Sequence, residues 1–446
     1  MQGSDAVIHA LEKEGISYIS GFSGGGLAPL WRPIRESSTI KAFATRHERL
    51  GVEIADGYSR ATGKVGVAMT GTGPGATNTL TGIASCFADN VPVLLLMGQH
   101  PLRNLGKEYQ QEVSSSIFDT LVKWKGTFTR IDEIPNVMRR AFTALKSTSP
   151  GPVVLEMPQD VLTAEADEHV LHYNPVGAFP KSSPDRQDVE KAADLLANAK
   201  YPILNVGGGA ISAEAWDEVK ELAEMLSMPV ATTLLGKSVF PEDHPLSLGL
   251  GVFPRSRYAT GPALQINRKA DVVLAVGNSY KLPNGTDGRP IPEGVKLIHV
   301  NSDPADLNKT YQADLAILAD AKLALRDIIE AVKDRVSIVK RGVKNEVTQE
   351  ISQSKEKWLN EWMPIFTDPS SPTNGYRVVY DLMQVTDRNN TIAIHDAGGS
   401  RGYMTQFWVS TRPRNFVAMG GMAPMGWSMG AAIGAKLGRP DHLVVH

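Results

Sequence analysis

The stretch from Lys41 to Asn78 combines two strand-like runs, a helix-like run and a glycine-rich turn in one order. Residues 39–44 (TIKAFA) and 65–69 (VGVAM) are short and β-rich, and residues 49–62 between them carry apolar side chains at helical spacing. The second run leads directly into GTGPGATN, where glycines let the backbone approach another group closely. This order predicts parallel strands joined by a helix, because parallel neighbours need a crossover connection.

The same alternation returns further along the chain. Apolar runs at 201–206, 271–276 and 296–300 are separated by helix-like segments, and runs at 391–395 and 415–419 begin a third region. Alternating strands and helices build parallel sheets with helices on both faces. The sequence therefore predicts an α/β fold with three doubly wound parallel-sheet domains, the last of them incomplete. The predicted boundaries are residues 1–165, 185–335 and 370–446.

Composition excludes several classes of protein. The 446 residues carry a formal net charge of −2 with both signs mixed, which gives no electrostatic case for binding nucleic acid or a membrane. The single cysteine, Cys86, excludes an internal disulfide framework and fits a reducing compartment. No apolar run approaches the length of a membrane span. These features predict a cytoplasmic chain of the size of an enzyme.

Five short motifs follow one another in the first predicted domain. They are His47-Glu48-x-x-Gly51, Ala55-Asp56-Gly57-Tyr58-Ser59-Arg60, Gly73-Pro74-Gly75-Ala76-Thr77-Asn78, Ala88-Asp89-Asn90-Val91-Pro92 and Gly98-Gln99. Each alone is a weak signal, because glycine turns usually serve packing and charged strand ends are usually solvated. Together they resemble the pyrimidine-binding domain of thiamine-diphosphate-dependent enzymes, and most of all the acetohydroxyacid (acetolactate) synthase branch.

The resemblance implies a catalytic role for Glu48. In the family, a carboxylate at this place shares a hydrogen bond with the aminopyrimidine of the cofactor, and the thiazolium then loses its C2 proton to become an ylide. The C2 proton is removed by the exocyclic nitrogen of the cofactor, and a carboxyl group in a dry pocket can share its own proton with the ring nitrogen instead of losing it to water. The ylide would add to a 2-oxo acid or related ketone, and the resulting enamine would pass its carbon unit to an acceptor.

Two other functions stay open at this point. The first is simple decarboxylation of a 2-oxo acid, in which a proton is the acceptor and an aldehyde is released without a ligation product. The second is a non-catalytic homologue that only binds the cofactor. This non-catalytic alternative is suggested by the absence of the Gly-Asp-Gly motif with which the family binds Mg²⁺.

Four residues of the first domain match cofactor contacts of the family. Gly25 and Gly26 follow a strand at a Pro-Gly-Gly turn of the family, in which Ser23 replaces the proline. Pro74 and Asn78 belong to the glycine turn after the next strand. The resemblance implies that these four positions contact thiamine diphosphate.

Gln111 is the second predicted catalytic residue. It aligns with a glutamine that lies near the reacting centre in the family, and Gln110 occupies the place of a phenylalanine. The resemblance therefore implies a more polar substrate pocket, which can take a different donor. The alternative is that both are ordinary solvated glutamines of a surface loop.

The third domain is expected to complete the cofactor site. Met425 aligns with the large apolar residue that holds the cofactor in its bent conformation, and the carbonyl of Ala423 aligns with the acceptor of the exocyclic amine. Without the resemblance, a methionine after a glycine turn would be interpreted as core filling. The residues implied in cofactor binding in this domain are Gly398, Gly399, Ser400, Met422, Ala423 and Met425.

The sequence also departs from the family. The Gly-Asp-Gly that holds Mg²⁺ does not occur after the last apolar run, so no metal ligand is assigned, and we expect the ligands beyond His446 in a longer polypeptide. FAD is not expected, because residues 278–283 (NSYKLP) stand where FAD-binding relatives carry Phe-Asp-Asp-Arg. The resemblance implies a homodimer or homotetramer with the active site at the subunit interface.

Overall fold

The structure is a computed structural model that describes residues 1–22, 24–252, 258–281, 291–333, 335 and 346–446. Ser23 and the Leu282-Pro283 pair, on which two of the sequence predictions rest, lie outside the described residues. The chain divides into two compact units. The first unit comprises Met1–Pro180, Met419–Val444 and His446, and the second comprises Lys181–Ala418 and Val445.

The first unit is built on a six-stranded sheet in the order β2-β1-β3-β4-β6-β5, and all its pairs are parallel. Its strands are β1 Tyr18–Gly21, β2 Lys41–Ala44, β3 Gly66–Thr70, β4 Val93–Gln99, β5 Trp124–Thr127 and β6 Val153–Pro158. Its helices are α1 Gly3–Lys13, α2 Trp31–Glu36, α3 Glu48–Thr62, α4 Pro74–Ala88, α5 Ile134–Leu145, α6 Gln159–Thr163 and, from the end of the chain, α15 Trp427–Gly438.

Strand β4 shows why this sheet needs a cover on both faces. Every residue from Val93 to Gln99 is buried. Leu94 and Leu96 belong to one hydrophobic cluster, while Val93, Leu95 and Met97 belong to another. Successive side chains of a strand point to opposite faces, so a continuous apolar run means that helices pack on both sides. Strand β4 is therefore buried on both faces.

The second unit holds another six-stranded sheet, in the order β12-β11-β10-β7-β8-β9, and again all pairs are parallel. Its strands are β7 Pro202–Val206, β8 Val230–Thr232, β9 Ser247–Leu250, β10 Val272–Val276, β11 Lys296–Asn301 and β12 Leu315–Leu318. The helices of this unit are α7 Arg186–Asn198, α8 Gly208–Ser212, α9 Trp216–Leu226, α10 Gly261–Ile266, α11 Ala321–Lys333, α12 Glu346–Phe366, α13 Gly375–Val385 and α14 Gly399–Phe407.

A third, smaller sheet has the order β14-β13-β15. Its strands are β13 Thr391–Ile394, β14 Phe416–Val417 and β15 Leu443–Val445. Together, two six-stranded parallel sheets and this small third sheet confirm the predicted α/β class. The predicted domain boundaries stay a prediction.

One helix start differs from what the capping pattern of the sequence favours. Ser212 is a plausible N-cap by sequence, but it is the last residue of α8, and α9 is preceded by Ala215 without a side-chain cap. The turn before α8 is held instead by the backbone, since the Gly207 amide donates to the Val276 carbonyl (2.8 Å) and the Gly209 amide to the Gly277 carbonyl (3.0 Å). Serine is preferred at helix N-caps, but this is a tendency, and here the residue ends α8 instead.

None of the helices that the structure describes is long and apolar enough to cross a membrane.

Candidate active site

The predicted site residues of the first unit follow successive strands of one sheet. Gly25 and Gly26 come after β1, Glu48 after β2, Pro74 and Asn78 after β3, and Gln111 after β4. The chain order reverses between β1 and β3, which are neighbours in the sheet. In open α/β sheets, ligands bind outside the carboxyl ends of the strands at such a switch point. The topology therefore gathers these residues at one crevice.

Glu48 is the first residue of α3 and is half-buried. The preceding residue, His47, caps the helix, because its Nδ1 accepts the Arg49 amide (3.2 Å). Asn78 Nδ2 donates to Glu48 Oε2 (2.9 Å). A carboxylate at a helix N-terminus is also favoured by the helix dipole, by about 0.3–1 kcal/mol. The structure thus brings Glu48 and Asn78, two of the predicted site residues, into direct contact.

Two glycines, Gly75 and Gly51, pack close to the Glu48 carboxylate and to the start of its helix. A Cβ on Gly75 would stand 2.8 Å from Thr70 Oγ1, which is too close, and 3.7 Å from Glu48 Oε1, which is an ordinary contact distance. Gly51 lies against β1, where a Cβ would come within 2.6 Å of the Gly21 Cα. This close approach fixes the first turn of α3 against the sheet, and Glu48 with it.

The turn after β1 packs on the neighbouring loops. A Cβ on Gly26 would meet the Gln99 backbone at 3.0 Å, and one on Gly24 would meet the Gly71 Cα at 2.9 Å. Among the described atoms, nothing lies within 4 Å of the position of a Gly25 Cβ. Gly26 therefore serves packing, whereas Gly25 faces open space in which a ligand can fit.

Gln111 lies beside the glycine turn, although its side chain is exposed. A Cβ on Gly73 would meet the Gln111 carbonyl at 2.7 Å. The loop is tied down by a buried network in which Thr72 Oγ1 donates to Gln99 Oε1 (3.0 Å) and Gln99 Nε2 donates to Glu156 Oε1 (2.9 Å) and to the Val113 carbonyl (3.2 Å). The side-chain amide of Gln111 donates to the adjacent Glu112 carbonyl (3.2 Å). Its predicted catalytic role stays a prediction.

The segment carrying Met422, Ala423 and Met425 belongs to the same compact unit. The side chains of Met422 and Met425 are 52% and 80% exposed, which is unusual for methionine. Ala423 has φ = 48°, a left-handed conformation that a non-glycine residue adopts at a cost of about 1–3 kcal/mol. Arg49, next to Glu48, donates to the Met425 carbonyl (2.6 Å). An exposed apolar turn with a strained backbone is thus held by Arg49, the residue that follows Glu48.

A buried charge cluster underlies this turn. Arg60 Nε donates to Asp56 Oδ1 (2.6 Å), and its Nη2 donates to Asp89 Oδ2 (3.0 Å). Trp427 Nε1 donates to Asp56 Oδ2 (2.6 Å). Burial raises the pKa of Asp56 against the opposing effect of Arg60 and Trp427. Burial by itself would lower the pKa of the Arg60 guanidinium. The Asp56 and Asp89 carboxylates outweigh this effect and raise that pKa above its ordinary value.

Gly398, Gly399 and Ser400 lie in the second unit, outside this cluster of first-unit residues. Gly398 has φ = 78° and precedes α14, and no described atom lies within 4 Å of the position of its Cβ. Ser400 Oγ donates to the Ala397 carbonyl (3.3 Å). Backbone amides that open a helix are suited to an anion such as a phosphate. Within the second unit, the geometry fits the predicted anion contact.

Comparison with known protein families decides the identity of this fold. The N-terminal TPP binding domain of thiamine pyrophosphate enzymes matches residues 1–118, the central domain matches residues 189–328, and the C-terminal TPP binding domain matches residues 396–446. A probable acetolactate synthase large subunit of Methanocaldococcus jannaschii is 35% identical over 99% of this chain and 74% of its own length. The chain belongs to the thiamine pyrophosphate enzyme family.

Other relatives agree with this membership. The large subunit of acetolactate synthase isozyme 3 of Escherichia coli is 28% identical over the whole of this chain and 77% of its own length. An X-ray structure from Mycobacterium smegmatis, described as a thiamin diphosphate-dependent enzyme, superposes with a TM-score of 0.82 over the whole of this chain and 82% of its own, at 22% identity. The structural neighbour supports the fold, and the predicted resemblance to the family is confirmed.

The sequence patterns did not assign a role to Arg49, Asp56, Arg60 or Asp89. Asp56 and Arg60 stand four residues apart on α3, which is the spacing of a helical ion pair, so this pair could have been found from the sequence. Asp89 is bonded to backbone amides that lie 331 and 332 residues further along the chain. No local signal could have revealed that contact.

Proposed function

We propose that this chain is a thiamine-diphosphate-dependent carboligase or lyase that acts on a 2-oxo acid or related ketone, in the manner of an acetolactate synthase. The observation that carries the proposal is the pairing of Glu48 with Asn78 at the crevice, next to the exposed Met425 turn that Arg49 holds. When bound, thiamine diphosphate supplies a carbon nucleophile and an electron sink for cleavage next to a carbonyl group.

Glu48 is proposed to hold the proton on which this chemistry depends. Asn78 occupies Oε2 and fixes the plane of the carboxylate, which leaves Oε1 facing the side of Gly75. An oriented carboxylate in a partly buried crevice can share a proton with a ring nitrogen of the aminopyrimidine. Glu48 is therefore the proposed general acid–base group.

The remaining predicted residues are proposed to bind and orient. Met422 and Met425 offer apolar side chains whose exposure a bound ring would remove, and the carbonyl of Ala423 is proposed as a hydrogen-bond acceptor for the cofactor. Gly25 and Pro74 border the same crevice. Gly398, Gly399 and Ser400 of the second unit are proposed to contact the diphosphate. Gln111 is proposed to contact the substrate, with Gln110 making the pocket more polar than a phenylalanine would.

Mg²⁺ is proposed to accompany the diphosphate, with ligands that this chain's motifs do not assign. Among the residues that the structure describes, no group of three or more His, Cys, Asp or Glu side chains is placed to hold a metal ion. Mg²⁺ requires several oxygen ligands in near-octahedral arrangement. The roles proposed for Glu48, Asn78 and the methionine turn do not depend on the metal. A homodimer or homotetramer in the cytoplasm, with its active site at a subunit interface, completes the proposal.

The test is a panel of 2-oxo acids incubated with the protein, thiamine diphosphate and Mg²⁺, with and without aldehyde or ketone acceptors. We expect cofactor-dependent release of CO₂ together with a product in which two carbon units are joined. Release of an aldehyde without a joined product would instead identify a simple decarboxylase. The polar Gln110 is compatible with that outcome. Absence of both turnover and thiamine diphosphate binding would refute the proposal.

FAD is proposed to be absent from the central domain of this enzyme. At the switch point of the second sheet, between β7 and β10, the amides of Gly207 and Gly209 are already bonded to carbonyls of the neighbouring strand end. A Cβ on Gly207 would lie 2.2 Å from the Gly277 carbonyl oxygen, so the glycines serve close packing. We expect the purified protein to lack the visible absorption of a flavin and to gain no activity on addition of FAD; a flavin band that survives gel filtration would contradict this.

A further inference from the structure

Asp89 makes three hydrogen bonds that join separate parts of the first unit. It follows the last residue of α4, and its side chain is only 1% exposed. Oδ2 accepts the Gly420 amide (2.7 Å) and Arg60 Nη2 (3.0 Å), and Oδ1 accepts the Gly421 amide (2.8 Å). Charge-assisted hydrogen bonds of this kind are roughly twice as strong as neutral ones. Both carboxylate oxygens are thus committed.

The segment that Asp89 holds is the one that carries the exposed methionines. Gly420 and Gly421 immediately precede Met422, and Gly421 packs so closely on α4 that a Cβ would come within 2.8 Å of the Ala88 Cβ. The far end of the turn is held by α3, through Arg49 at the Met425 carbonyl and Asp56 at the Trp427 indole. The strained Ala423 lies between these two attachments. Strained backbone persists only where its surroundings determine it.

The same two helices carry the polar groups of the crevice. Helix α3 begins at Glu48 and presents Asp56 and Arg60 two and three turns later, while α4 carries Asn78 near its start and ends before Asp89. Arg60 joins the two helices by bonding to both Asp56 and Asp89. The methionine turn is therefore attached to both α3 and α4.

We propose that Asp89 is a positioning residue, which with Arg60 holds the Met422–Met425 turn in the conformation that the bound cofactor requires. This inference rests on the proposed function. Asp89 does not itself touch the cofactor. It acts through the two backbone amides, and a carboxylate is needed because three donors converge on its two oxygens.

The decisive variant is Asp89→Asn. An amide group has the same shape, but in either orientation its NH₂ meets a backbone N–H, so at least one of the two bonds is lost. We expect the dissociation constant for thiamine diphosphate to rise about ten- to a hundredfold, the range for losing a hydrogen bond to a charged group. We also expect amide hydrogen exchange in residues 420–425 to accelerate, while β4 keeps its protection.

Two further variants sharpen the test. Gly421→Ala keeps the carboxylate but pushes the same turn away from Ala88, so it should weaken thiamine diphosphate binding in the same way. Asp314→Asn is the matched control, because Asp314 also accepts a backbone amide, that of Leu297 (2.9 Å), and an ion-pair donor, Lys296 (2.8 Å), in the second unit. We expect it to leave cofactor binding unchanged.

The outcomes distinguish failure of the positioning role from failure of the proposed function. If the unaltered protein binds thiamine diphosphate and Asp89→Asn binds it equally well, the positioning role is wrong while the proposed function stands. Uniform acceleration of exchange across the first unit, β4 included, would identify a merely structural role and overturn the inference. A wild-type protein that binds no thiamine diphosphate overturns the proposed function and this inference with it.

Discussion

Replacing Glu48 with glutamine is expected to lower turnover of the 2-oxo acid by about 10²–10⁴-fold, the usual contribution of a positioned acid–base group. Glutamine keeps the length of the side chain, and its carbonyl can still accept the Asn78 amide that now bonds to Glu48 Oε2. The second oxygen becomes an NH₂ group, which cannot take up or release a proton near neutral pH. The fold should be little affected, because the helix dipole favours the native carboxylate by only about 0.3–1 kcal/mol.

Steady-state kinetics and a thiamine diphosphate titration, run on the same samples, check this prediction. Binding should persist in Glu48→Gln while turnover falls, which separates loss of chemistry from loss of the site. Glu36→Gln is a suitable control, since Glu36 lies at the end of α2, is exposed and pairs with Arg32 (3.3 Å). If Glu48→Gln turns over substrate at the wild-type rate, Glu48 is not the acid–base group.

Replacing Gly57 with alanine is expected to destabilise the first unit by about 3 kcal/mol, at the upper end of the usual overpacking cost. A Cβ at this position would lie 2.2 Å from the Ala431 carbonyl oxygen and 2.3 Å from its Cα, so α3 and α15 must move apart. Gly430 and Gly434 on α15 make similarly close contacts with Glu53 and Ile54 of α3. The gain in helix propensity from glycine to alanine, about 1 kcal/mol, is smaller than this penalty.

Denaturant unfolding measures the loss, and hydrogen exchange shows where it acts. Because α15 follows closely on Met425, its displacement should raise exchange in residues 419–438 first. Gly177→Ala is the matched control, as no described atom lies within 4 Å of the position of its Cβ. An unfolding midpoint equal to that of the wild type would show that the two helices do not pack this closely.

Local sequence patterns determined most of the fold. The helix predicted at 49–62 is α3, Glu48–Thr62, and the strand predicted at 271–276 is β10, Val272–Val276. Apolar runs and helical spacing report burial directly, and short connections keep successive elements adjacent. Helix α3 begins one residue earlier than predicted, at Glu48, because the His47 side chain caps the helix before the apolar pattern begins.

The sequence by itself determined that strands and helices alternate, that the polar motifs follow the strands, and that Glu48 lies at the start of a helix. These three features follow from hydrophobic periodicity, from the placement of glycine and proline, and from the order of the motifs. Each of these signals can be recognised within a few neighbouring residues. Only the tertiary structure decided that Asp89 holds the turn before Met422, that Gly57 lies against Ala431, and that Ser212 ends a helix. The first two contacts join residues hundreds of positions apart, and their energy depends on the packing of whole helices, which no local pattern encodes.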